Sequence, residues 1–259
     1  MNMASRLCKI TLAGLALSLP ALGCGGGSGT PTDPKLAKFS FFVTSIESMT
    51  ALSPAQKGFG GDLSYGETGA GAGLRGADKI CKAAAEMGMT GAGAKNWHAF
   101  LSTSTVNAKD RIGAGPWHDA LEHQVASNLT QLLMERPGDA DEQIKNDLPN
   151  EFGIPNHMQG GCSGSSCPAN HAVLTGTDAT GMLYSAGTSV AASPCNDWTS
   201  KEASGNPWCG HSWPREGSGK NWMASTSLDG CAPCLGQNMG TNCVGDTGGY
   251  GGIYCFATN

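Results

Sequence analysis

Four sets of residues in this chain have types and spacings that do chemistry in other settings. Cys231-Ala232-Pro233-Cys234 has the spacing of a thioredoxin-like C-x-x-C, which needs a low-pKa thiolate at a helix N-terminus. Gly236 and Gly240 follow closely and argue against that helix. Gly71-Ala72-Gly73-Leu74-Arg75-Gly76 matches G-x-G-x-x-G and opens a helical pattern. No apolar strand directly precedes it and no βαβ pattern surrounds it, so a permissive loop is expected rather than a dinucleotide site. Gly210-His211-Ser212-Trp213 starts like a nucleophile elbow, but Pro214 stands where the closing glycine belongs. Cys209, His211, Cys234 and Cys243 would make a tetrahedral zinc set if all the thiols stayed reduced. The other histidines, His98, His118, His123, His157 and His171, show no H-E-x-x-H or i, i+4 pairing and read as surface or capping residues.

The compartment decides among these. Arg6 and Lys9 form a basic head, Ile10 to Leu22 a mainly apolar stretch, and Ala21-Leu22-Gly23-Cys24 ends it. This is the layout of a secretion signal, too short to span a bilayer. It resembles a bacterial lipoprotein signal, which implies cleavage before Cys24 and lipid on its thiol. Residues 1–23 are then the signal peptide, and residues 24–38 a lipidated flexible tether, rich in Gly, Ser, Thr and Pro as far as Pro34. Residues 39–259 show no second composition shift and read as one domain. Loss of Arg6 and Lys9 takes the net charge from -5 to -7, because the removed segment holds no acid. A mildly acidic surface excludes polyanions such as nucleic acid as partners. No other apolar run reaches spanning length, so attachment to membrane is expected through the lipid anchor only.

Glycine makes up 39 of 259 residues and only 14% are charged, which predicts short strands, many loops and a need for covalent staples. Setting aside Cys8 and Cys24, nine cysteines remain, an odd number for an oxidising compartment. Phe39 to Ile46 reads as a strand, followed by a Gly-rich stretch to Gly76. Ala77 to Met87 reads as a helix carrying Cys81, and Trp97 to Thr103 as a half-buried strand. Trp117 ends a turn as an anchor, and Val125, Leu129, Leu132 and Leu133 line one face of a second helix stopped at Pro137-Gly138. Residues 139–161 are polar and unpatterned. His171 to Gly176 and Gly181 to Ser185 suggest a hairpin, and Gly252 to Ala257 a closing strand.

Phe42-Val43-Thr44-Ser45, Leu74 to Cys81, Trp97 to Thr103, Asp110-Arg111-Ile112-Gly113, Leu174-Thr175-Gly176, Cys195-Asn196-Asp197-Trp198-Thr199-Ser200, Gly210-His211-Ser212 and Tyr254-Cys255-Phe256 follow one another in a characteristic order. Together they resemble the bacterial lipoprotein domains related to endostatin, of the C-type-lectin-like class, over nearly all of residues 39–259. Residues 135–166 and 231–249 depart from that pattern and look like insertions. The resemblance implies an α+β, disulfide-stapled fold with short strands, two helices and many loops. It also supplies two bonds, Cys81 to Cys255 and Cys195 to Cys231. Cys162 with Cys167 and Cys234 with Cys243 are then the natural local pairs, and Cys209 is left over.

Calcium-dependent sugar binding needs Glu-Pro-Asn or Gln-Pro-Asp with a following Trp-Asn-Asp, and none is present. Calcium through Asp178, Asp197 or Asp246 lacks support, and Cys195-Asn196-Asp197-Trp198 reads first as a packed Trp with Asp197 bonded to loop backbone. No catalytic residue, cofactor or metal ligand is assigned. The expected function is a non-enzymatic recognition module in the cell envelope, on an outer-membrane lipoprotein facing periplasm or surface, binding an extracellular glycan or protein. Trp208 and Trp213, each beside a proline, with His211, Asn221 and Asp197, are the candidate ligand contacts, while Trp198 and Trp222 read as core. The alternatives are a structural envelope or matrix lipoprotein, and a zinc-binding or enzymatic variant of the same fold.

Overall fold

The computed structural model describes residues 33–157, 170–185, 193–236 and 241–258. The signal segment with Cys24, and the pair Cys162 and Cys167, lie outside the described residues. Thr32–Asn259 forms one unit, of mixed α+β class. Among the described residues no helix is long and apolar enough to cross a membrane.

The unit opens with a short helix α1 (Pro34–Lys38), whose N-terminus is capped by Asp33 Oδ1 taking the Lys35 N–H at 2.9 Å. Part of the stretch read as tether is therefore folded. Strand β1 (Phe41–Val43) follows and is shorter than read, because Ser45 caps helix α2 (Ile46–Leu52) through Ser48 N–H. The longest helix, α3, spans Ala72–Gly88 and buries Ala77, Ile80, Cys81, Ala84 and Ala85 along one stripe. It begins five residues before the expected start. Gly73 and Gly76 belong to its first turns, where a Cβ would run into the carbonyls of Asp197 and of Leu63 and Ser64. The glycine-rich match is thus a close-packing surface of a helix and not a loop.

Strands β2 (Trp97–Ala99), β3 (Trp117–His118) and β4 (Gln124–Ala126), a single-turn helix α4 (Leu129–Leu132), and strands β5 (Ala172–Leu174), β6 (Trp208–His211), β7 (Thr226–Ser227) and β8 (Gly249–Ala257) complete the elements. The second helix expected over residues 125–133 is instead β4 followed by one helical turn. Val125 and Leu132 still face the same core, since both geometries can bring them there. The expected hairpin reduces to β5 plus one bridge between Thr177 and Leu183.

Strand β8 is central and buried along all nine residues. Its first half runs parallel to β5, and its last residues pair antiparallel with β1 and β2. The sheet path runs β1-β8-β5-β6-β7. Alternation along β8 divides two cores: Ile253, Cys255 and Ala257 pack with α2 and α3, while Tyr254 and Phe256 pack with Phe41, Phe100, Trp117 and Trp222. On the first side Phe39 and Phe42 meet Trp97 edge-on, with centroids 5.2 and 4.9 Å away. A disulfide joins Cys81 of α3 to Cys255 of β8, tying helix to sheet across 174 residues of chain.

Candidate functional site

Residues 193–236 and 241–248 form the loop half, and its entry is a tight turn at Cys195–Trp198. All four residues lie in the left-handed region, with φ of 44, 52, 53 and 65°, a conformation that L-residues adopt as single residues and not in runs. Three ties hold it. Cys195 is bonded to Cys231. Asp197 accepts from Ser104 N–H at 2.9 Å, Ser104 Oγ at 2.6 Å and Ser193 Oγ at 2.9 Å. The Trp198 indole N–H donates to the Ser102 carbonyl at 2.7 Å, and Leu63 N–H donates to the Trp198 carbonyl. Asp197 and the fully buried Trp198 thus do what a structural reading of this run expects.

The titratable residues gather elsewhere, where four separated segments meet. His157 Nδ1 touches an Asp147 carboxylate oxygen. The His157 ring stacks on Trp213 at 3.9 Å and 6°, and the Arg215 guanidinium lies 3.8 Å from the Trp213 ring centroid. Trp213 N–H donates to His211 Nδ1 at 3.2 Å, and the His211 ring stacks on His171 at 4.1 Å. Beneath them Asn156 Nδ2 donates to the Asn170 carbonyl at 2.9 Å and to Ser212 Oγ at 3.0 Å. The Tyr250 hydroxyl lies 2.8 Å from Asn156 Oδ1 and 2.6 Å from the Thr44 carbonyl.

Burial sets the protonation here. It pushes the Asp147 carboxyl up to about 7, opposed by its hydrogen bond at His157. It pulls His211 down to about 3, helped by His171, Lys220 and Arg215. His171 and His157 are lowered for the same first reason, with Lys220 and Arg215 respectively the leading charges against them. An accepting Nδ1 agrees with a neutral His211 that keeps its proton on Nε2. Asp147 Oδ1 and Asn170 Oδ1 are buried without a hydrogen-bond partner.

Among its described residues this cluster pairs Asp147 with His157 and shows no activated nucleophile. Ser212 is fully buried, with its hydroxyl held by Asn156. Cys209 is a free thiol with no exposure, pushed up to about 12 by burial. Cys234 is bonded to Cys243, so the proposed zinc quartet of Cys209, His211, Cys234 and Cys243 is unavailable, and Cys231 and Cys234 belong to different disulfides. Among the described residues no group of three or more His, Cys, Asp and Glu could hold a metal ion.

The five expected ligand contacts are scattered among these roles. His211 is 8% exposed and sits in the cluster. Trp213 is half-buried between His157 and Arg215, and Trp208 is half-buried and stacked on Tyr184 at 3.9 Å and 5°. Asn221 Oδ1 accepts from Met223 N–H at 2.8 Å and Ala224 N–H at 3.2 Å, and Asp197 is saturated by its serine donors. His211 and Trp213 are brought together, and the Asn221 carbonyl accepts from His211 N–H at 3.1 Å. Sequence reading passed over Asp147, His157 and His171 as site residues, because no local spacing joins them. No protein-family model matches the chain, and no curated protein matches it.

Proposed function

We propose that this protein is an exported, lipid-anchored recognition module of the C-type-lectin-like, endostatin-type class, without catalytic activity, whose loop half contacts an extracellular glycan or protein. The observation that carries this reading is the left-handed turn at Cys195–Trp198. Four such residues cost roughly 1–2 kcal/mol each, and a disulfide, a triply hydrogen-bonded carboxylate and an indole N–H hold them in place. A loop surface held in one shape before its ligand arrives avoids the ordering cost of binding. Export is supported by the disulfides and by the residues leading to Cys24. Trp213 and Arg215 of the loop half, stacked on His157, are best suited to a ligand, since they present a planar cation and an indole edge at the surface.

A glycan array, and surface pull-downs from cells of the same envelope, test this with the wild-type chain beside Arg215→Ala and Trp213→Ala. Binding restricted to few ligands, and weakened at least tenfold by either substitution, is expected. A second reading, a structural envelope protein with no ligand, draws on a separate observation: Trp97, Trp117, Trp198 and Trp222 are at most 1% exposed, and both remaining tryptophans already carry stacked partners. Silence in both assays would favour it.

A further inference from the structure

We propose that the end of the folded unit carrying α1 docks on the lipid bilayer itself, setting Leu121, Ile154 and Met87 into the headgroup–acyl boundary. This rests on the lipid-anchor reading and goes beyond it, because the anchor alone asks nothing of the protein surface. Five large apolar side chains are more than a third exposed among the described residues, and three of them, Leu121 at 50%, Ile154 at 46% and Met87 at 38%, share this end.

Their proximity follows from the backbone packing. Gly88, at the end of α3, abuts Glu151, and a Cβ on Gly153 would lie 2.6 Å from Leu121 Cγ. The segment Glu151–Ile154 therefore runs between the end of α3 and Leu121. Helix α1 lies at the same place: Leu36 Cδ2 is 3.3 Å from the position of a Cβ on Gly91, Lys95 Nζ donates to the carbonyls of Ala37 and Phe39, and Lys38 pairs with Glu122 at 2.9 Å.

The occupant is argued from chain length. Asp33 lies nine positions after Cys24, a reach of at most roughly 30 Å when extended and about 15–18 Å as a coil. A surface held that close meets the bilayer at high effective concentration, so a modest apolar patch is enough. Lys35, Lys38 and Lys95 are balanced by Asp33, Glu86 and Glu122, so the contact is made by insertion and depends little on salt. Beside the patch, Lys38, Ser40, Gly113, Pro116, His118 and Thr258 line a cleft of about 390 Å³ with room for a zwitterionic headgroup.

The test uses the mature protein in phosphatidylcholine vesicles containing spin-labelled lipid, with a fluorophore on Leu121→Cys and, as reference, on Met182→Cys. Cys209 is fully buried and does not compete for label. Quenching at position 121 at least threefold stronger than at 182 is expected, and equal quenching overturns the proposal. Mass spectrometry reports separately whether Cys24 carries lipid. In the mature protein labelled instead on Met87→Cys, adding Leu121→Glu and Ile154→Glu is expected to lower quenching at position 87 at least threefold. If no lipid is found but that loss occurs, the anchor falls and the docking face stands. If quenching at position 87 is unchanged, the docking face falls. A Cys24→Ser dimer that the two glutamates dissociate would assign the face to a second copy and overturn the proposal.

Discussion

The half built from α2, α3, β1, β2 and β8 is held mainly by apolar contact, with Phe39, Phe42, Ile80 and Trp97 packed without exposed surface beyond 1%, and by one disulfide, Cys81–Cys255. The loop half at residues 193–236 and 241–248 is held mainly by bonds between specific atoms: two disulfides, the Asp197 carboxylate, and glycines at which a Cβ would strike backbone, as at Gly210 against Trp222 and Gly230 against Asn242. Apolar packing tolerates exchange of like for like, whereas each atom-specific tie has no substitute. Residues that resemble ligand contacts in the loop half are for this reason largely occupied by the fold.

Removing the covalent ties should separate the halves most strongly. In the chain-entropy model, Cys81→Ser with Cys255→Ser costs about 5 kcal/mol, Cys195→Ser with Cys231→Ser about 4, and Cys234→Ser with Cys243→Ser about 3. Urea unfolding followed by near-UV circular dichroism should show the first pair lowering the whole transition, and the second uncoupling an early loop transition from a retained Trp97 and Trp117 signal. A single transition for the second pair would erase the distinction.

Two buried titrations in the histidine cluster, one at Asp147 outside the loop half and one at His211 within it, oppose each other, each on the order of a few kcal/mol. The folded Asp147 binds its proton more tightly than the unfolded chain, so its contribution is full below about pH 4 and lost as pH rises through about 7. Folded His211 binds its proton less tightly, so its contribution is full above about pH 6.5 and lost as pH falls toward about 3. Asp147→Asn should expose stability that rises with pH across the acid range, and His211→Gln stability that falls between pH 4 and 7. Chemical unfolding at stepped pH reads both slopes.

Asp197→Ala should cost about 2 kcal/mol by removing the bonds from Ser104 and Ser193 that hold the left-handed turn, and it should speed proteolytic nicking near residues 193–200 without moving the sheet-half transition. Trp213→Ala should cost under about 1 kcal/mol, since a half-exposed stack is a minor holder of structure. A larger loss would make the stack a keystone of the loop half rather than a surface for ligands.

Legibility in the sequence follows the same division. Period and apolarity located the body of α3, β2 and β8, because one buried stripe or strand leaves a regular trace. They failed at residues 125–133, where a strand and one helical turn place Val125 and Leu132 on a shared core just as a helix would. Glycine was the second failure: Gly73 and Gly76 read as loop residues, although tight approach of α3 to Ser64 and Asp197 requires them. The pairings Cys81–Cys255 and Cys195–Cys231 came through resemblance, since spacing alone leaves connectivity open. The cluster of Asp147, His157, His171 and His211 left no local trace, because four separate segments assemble it and only folding brings them into contact.

The position of β8 has a consequence for the order of events as the chain is made. Strands β1, β2 and β5 all register on residues 249–257, and Cys255 receives Cys81 there. A nascent polypeptide that has emerged only as far as Asp246 owns every helix described above and no strand on which they can close. Such a chain cannot seat them until residues 249–257 follow, and a polypeptide interrupted before residue 249 would leave Cys81 of α3 without its disulfide partner.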